Sequence, residues 1–269
     1  MARQKSQLER TLRTLPQPVK LPLPLPLAHL STARLFESII DADKLDPCLC
    51  DVFNEELIYF SYGGVLYRAS DKPTRDASKL PVVFIFHPSL LEVVDRYYPF
   101  DTGALAKRYY KEWGKMLGPK AEEFNVLGKG DYNVPSRLVY HLYKNNKRYI
   151  TGNVDRGLKK KPAPLPQLFD FLKADLTVYG VNDLQLAIEA VCTESIPFDR
   201  LVWVSYPEVK ARKFRPLFRK LYALMKPAVP QFFPYESHVI HTPSEVAAQI
   251  RSEARKTIVK QYMSLPGEK

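Results

Sequence analysis

One carboxylate constrains this chain more than any other residue. Glu189 stands inside "LQLAIEAVC", an otherwise apolar run with strand character. Alternation places Leu186, Ile188 and Ala190 on one face of that strand and Ala187, Glu189 and Val191 on the other. A carboxylate carried into a sheet has to be paired or put to use, because burying it alone is costly.

The other apolar runs are short and bounded by turn residues. "PVVFIFHP" reads as a buried strand between prolines. "LIYFSYGGVLYRA" has strand propensity on both sides of Gly63-Gly64, where the glycines mark a bulge, a tight turn or a close approach. Strands are also expected around Ala28–Leu30, in "DLTVYG" and in "RLVWVSYP". "STARLFESIIDADKL" reads as a helix with Ser31 or Thr32 as its cap and Leu35, Ile39 and Ile40 on one face. "DTGALAKRYYKEWGKML" reads as a second helix, capped by Asp101 or Thr102. "LVYHLYKNNKRYI" should be helical until it gives way at Asn145-Asn146, and "HTPSEVAAQIRSEARKTIVKQYMS" closes the chain as a helix starting at Pro243. The mixture is α+β, without regular βαβ units. No glycine-rich nucleotide fingerprint follows a strand, so neither a dinucleotide-binding βαβ fold nor a P-loop is supported.

At 45% hydrophobic and 12% aromatic residues, the chain is expected to be globular. Its net charge of +11 favours nucleic acid, an anionic membrane surface or an acidic partner. Cys48, Cys50 and Cys192 cannot all pair, and the C-x-C spacing lacks partners for a zinc site. A reducing cytoplasm is the simplest compartment, and neither a metal nor a membrane span is expected. Residues 1–26 read as a basic arm and a stiff Leu-Pro lead-in, and 27–269 as a single domain.

Several residues near the first two strands suit ligand binding. His29 reads either as a core histidine beside a helix cap or as a partner for a ligand hydroxyl, since imidazole offers one donor and one acceptor. Ser31 and Thr32 follow it. Tyr59 and Tyr62 flank Phe60-Ser61, and read either as sheet packing or as stacking faces for a flat cationic ring. Arg68 ends the strand and suits phosphate oxygens, though a plain surface arginine fits equally.

The order "HLST", then "LIYFSYGG", then Glu189 in a late strand resembles the ADP-ribosyltransferases, specifically the nucleic-acid-targeting enzymes of bacterial toxin–antitoxin and phage-defence systems. The resemblance implies a split mixed β-sheet core with flanking helices. It implies NAD as co-substrate, held by His29, Ser31, Thr32, Tyr59, Ser61 and Tyr62. Glu189 would be the catalytic carboxylate, with Tyr59 and Arg68 assisting. Tyr179, Asn182 and Asp183, in the loop before Glu189, would face the acceptor. Arginine-specific members carry an acid or amide two residues before the glutamate; Ala187 stands there instead, which argues against an arginine acceptor and is compatible with a nucleobase in RNA or DNA or with another target. The basic stretches "RGLKKK" and "KARKFRPLFRKLY" agree with such an acceptor. A toxin of this kind implies a cognate antitoxin and allows for a chaperone that controls it. Two rivals remain open at this level: a non-enzymatic basic nucleic-acid-binding protein, and an ADP-ribosyltransferase that modifies protein.

Overall fold

The structure is a computed structural model that describes residues 5–65, 74, 76–103, 121–173, 187–208, 219, 231–236 and 243–263. Eleven strands occur among these residues. They are β1 (Leu27–Thr32), β2 (Lys44–Leu45), β3 (Cys48–Cys50), β4 (Glu55–Tyr62), β5 (Pro81–Phe86), β6 (Arg96–Tyr98), β7 (Val126–Leu127), β8 (Glu189–Cys192), β9 (Ile196–Pro197), β10 (Leu201–Pro207) and β11 (Gln231–Tyr235). Nine form one sheet in the order β11-β10-β5-β1-β4-β8-β6-β7, with β3 also paired to β4; β2 and β9 form a separate ribbon. The β10–β11 pair is parallel and the others are antiparallel, so the sheet is mixed. Pro234 is tolerated because β11 ends the sheet's path and has one less ladder to serve.

The sheet splits in its middle. All six residues of β1 pair with β5, from Leu27↔Phe86 to Thr32↔Pro81. Only Leu27 and Ala28 pair with β4, opposite Tyr62 and Ser61. Beyond that point β4 runs on beside β8 and β3 while β1 stays with β5. Gly63 makes the turn that ends β4 possible: its φ is +67°, and a Cβ there would meet Leu25 Cδ1 at 2.6 Å.

One face of the sheet carries the main core. Phe60, Phe84, Phe86 and Tyr206 pack there against helices α1 (Gln7–Thr14), α2 (Ala33–Asp41), α3 (Val134–Tyr143), α4 (Asn146–Ile150) and α5 (Leu165–Lys173). The other face is covered in part by α6 (Pro243–Ile258), whose Val246, Ile250 and Ala254 recur every fourth residue and sit on Ala28, Val83, Ile85 and Trp203.

The tertiary structure adds three points. The N-terminal segment docks on the sheet: Leu8, Leu12, Leu15 and Leu25 belong to the main core, and Thr11 donates to the carbonyl of Ala163 at 2.8 Å. The inward face of α2 is Ala33, Phe36 and Ile40; Leu35 is 51% exposed, because Phe36 rather than Leu35 meets Phe84. The proline-rich stretch before Leu165 gives way directly to α5, a helix built on Leu168, Phe169, Phe171 and Leu172 that the prolines hide from the sequence pattern. The break at Asn145-Asn146 occurs as expected: Lys144 adopts φ +78° after α3, and the Asn145 side chain caps α4.

His141 of α3 is buried, and among the described residues its Nε2 has no hydrogen-bond partner. Burial, aided by the positive charges of Lys144, Arg137 and Lys161, pushes its pKa down from 6.5 to about 4. A histidine held neutral by the fold stabilises it fully above the unfolded pKa and loses that contribution as pH falls toward the folded one. Between pH 7 and pH 5 the loss should be about 2 kcal/mol. Denaturant melts at both pH values are expected to show it in the native protein and not in His141→Gln.

Candidate active site in the split of the sheet

Antiparallel pairing aligns a row of residues on one face: Ile85, Ala28, Ser61, Glu189 and Tyr98 lie opposite one another across five strands. α6 covers the Ile85–Ala28 end. Tyr98, Tyr59, Leu57, Val191 and Phe53 form a small apolar cluster at the other end. Ser61 and Glu189 fall between these two patches.

β4 directs the N–H of Tyr62 to the carbonyl of Ile188, 2.9 Å away. Even-numbered backbone groups of β4 therefore face β8 and odd-numbered ones face β1. Where β1 has parted from β4, the Tyr59 carbonyl has no strand partner on that side. His29 Nδ1 fills the place at 2.9 Å. A carbonyl only accepts, so Nδ1 carries the proton and Nε2 presents a lone pair. Burial pushes the His29 pKa down, against the opposing effect of the Tyr59 bond, so the ring is neutral at pH 7. Phe60 and Phe84 fix the ring, with centroids at 5.6 and 6.3 Å.

Glu189 is only 7% exposed. Thr102 Oγ1 donates to its Oε1 at 2.5 Å, and the Thr102 N–H approaches the same oxygen at 3.4 Å. The phenol of Tyr59 meets Cys50 Sγ at 2.8 Å. Burial above all, then that bond and the charge of Glu189, raises the Tyr59 pKa far above its ordinary value, so the phenol keeps its proton.

His29, Ser31, Tyr59, Ser61 and Glu189 all line one cleft of about 720 Å³. Its walls include Leu35 and Ile39 of α2, Cys50 at the end of β3, Val52 after it, and Asp101 and Gly103. The volume lies in the range of small-molecule and cofactor sites. Among the described residues, no cluster of three or more His, Cys, Asp or Glu side chains could hold a metal ion, and no helix is long and apolar enough to cross a membrane.

The chain is similar to solved structures of DarT from Thermus sp. 2.9. In complex with NAD+, that protein aligns at 6% identity and a TM-score of 0.40, over 80% of this chain and 98% of the other. In complex with ADP-ribosylated ssDNA, it aligns at 7% identity and a TM-score of 0.39, over 81% of this chain and 98% of the other. No family model and no curated relative matches the chain.

Two of the expected ligand residues sit elsewhere. Tyr62 is 1% exposed and faces the main core; its hydroxyl accepts from the Leu25 N–H at 3.0 Å, and its carbonyl accepts from the Tyr149 hydroxyl at 2.7 Å. Tyr59 lines the cleft and Tyr62 does not, because the core hydrogen bonds of Tyr62 hold it beyond the end of the split. Thr32 takes the cap position of α2 without a side-chain bond and is absent from the cleft wall. Arg68, Tyr179, Asn182 and Asp183 lie outside the described residues. Thr102 and Cys50 were not assigned to the site by the sequence reading. "DTG" reads locally as a turn and cap, and only the tertiary fold carries it to Glu189.

Proposed function

We propose that this protein is an NAD-dependent ADP-ribosyltransferase that modifies a base of nucleic acid. The observation that carries the proposal is the convergence of a neutral His29, two serine hydroxyls, the Tyr59 ring and Glu189 on one cleft in the split of the sheet. These groups fit NAD. The Nε2 lone pair of His29 accepts from a ribose hydroxyl, and Ser31 and Ser61 donate or accept beside it. The Tyr59 face suits a flat cationic ring. NAD supplies the ADP-ribosyl group, with positive charge developing at the ribose carbon as nicotinamide leaves. A carboxylate set in a sheltered cleft favours that charge, which is the role of Glu189, and it also takes the proton of the incoming nucleophile. Thr102 is a positioning residue: its hydroxyl holds Oε1 in place.

A net charge of +11 favours a polyanionic acceptor. Ala187, two residues before Glu189, provides no acid or amide to receive an arginine. An enzyme that modifies the cell's own nucleic acid is toxic to it, so an antitoxin partner is expected with this activity, and the cytoplasm is the expected compartment.

The test is transfer from radiolabelled NAD to separate pools of RNA, DNA and protein, with Glu189→Gln run alongside. Label in RNA or DNA that vanishes with the variant supports the proposal. Label in protein alone refutes the acceptor class, and no transfer or NAD loss by the folded protein refutes the enzyme. Thr102→Val should lower the transfer rate about tenfold, the worth of one charge-assisted hydrogen bond. Thr102→Ser should restore most of it, with NAD affinity little changed in both; equal rates for Thr102→Val and the native protein would remove Thr102 from this role.

A further inference from the structure

A second cavity, of about 350 Å³, opens beside the start of β8. It is lined by the turn Gly63–Val65, the end of α4 with Thr151 and Gly152, Ala187, and Arg251 and Arg255 of α6. Arg251 and Arg255 stand four residues apart, so they project from one side of the helix. Each follows a residue of the buried stripe, Ile250 or Ala254, which anchors the helix to the sheet. Among the described residues that line this cavity there is no carboxylate. Gly64 leaves its floor open: a Cβ there would meet nothing within 4 Å. Two guanidinium forks over an open glycine turn make a receptor for an oxyanion.

The position of the cavity selects the ligand. Ala187 belongs to its wall, and Glu189, two residues on, belongs to the wall of the first cleft. The two cavities thus flank the start of the same strand. A chain of phosphates can occupy the second while one of its bases reaches Glu189.

We propose that Arg251 and Arg255 bind a backbone phosphate of the acceptor strand next to the base that is modified. This rests on the function proposed above. The experiment measures binding of fluorescent single-stranded DNA and RNA oligonucleotides without NAD, and of NAD by calorimetry, for the native protein and for Arg251→Gln/Arg255→Gln. A variant with the same loss of charge on exposed residues that line neither cavity, Arg10→Gln/Lys20→Gln, is the control. The cavity variant should lose oligonucleotide affinity by about tenfold or more, and its salt dependence should flatten by about 0.7 in log–log slope, one phosphate contact. NAD affinity should stay, and the control should lose much less. Arg255→Gln alone, at an exposed position, carries the same test if the double variant does not fold. Unchanged oligonucleotide affinity overturns the proposal. So does a loss confined to NAD, which would make the anion the dinucleotide's own. A native protein that binds no oligonucleotide overturns the acceptor class along with it.

Discussion

Glu189→Gln should abolish transfer while leaving the fold intact. The substitution keeps the shape of the side chain and an oxygen that can accept from Thr102 Oγ1, so the melting temperature should move little. It removes the negative charge that faces the cleft. Electrostatic and proton-transfer roles of a single group are each worth several powers of ten, so the rate should fall by roughly 10²–10⁴-fold. NAD affinity should change far less, because the charge acts on what develops during reaction rather than on the bound dinucleotide. Single-turnover transfer and calorimetric NAD binding on the same sample separate the two. An unchanged transfer rate in a folded Glu189→Gln would refute the assignment.

Phe84→Ala should produce the largest loss of stability. Phe84 is fully buried, stacks on Phe198 at 5.8 Å between centroids and meets Phe36 at 5.7 Å. It lies on β5, the strand that pairs with both β1 and β10. Truncating a buried Phe to Ala costs about 3–5 kcal/mol, a large share of a domain's net stability. The melting temperature should fall by about 6–20 °C. Phe84 also backs the His29 ring, so the surviving folded fraction should bind NAD more weakly. Phe84→Leu should recover much of both. A melting temperature within about 2 °C of the native value in Phe84→Ala would contradict this view of the core.

Much of the candidate site was legible in the sequence. Glu189 was conspicuous because a carboxylate sat in an apolar run, and the alternation that set it opposite Ile188 and Ala190 holds in the sheet. His29 and Ser31 stood out through their chemistry and their place before a helix. Gly63 announced a turn, and it has the positive φ. Choosing between Tyr59 and Tyr62 required knowing where along β4 the sheet parts; both tyrosines suit a strand, and the sequence holds no mark of that point. The inward side of α2 was misjudged for a related reason: Leu35 and Phe36 are both apolar, and the partner Phe84 decides between them.

The sequence by itself determined many of the elements of this protein, though not α5. Alternation, proline and glycine punctuation and capping residues depend on neighbours within a few positions, and those are written in order along the chain. It also singled out Glu189 as the candidate acid. Tertiary structure alone decided three things: where β1 and β4 part, that the lone carbonyl of Tyr59 is met by His29, and that Thr102 arrives at Glu189 from 87 residues away. Each depends on the register of strands far apart in sequence, and a one-residue slip in that register would turn every one of these side chains to the opposite face.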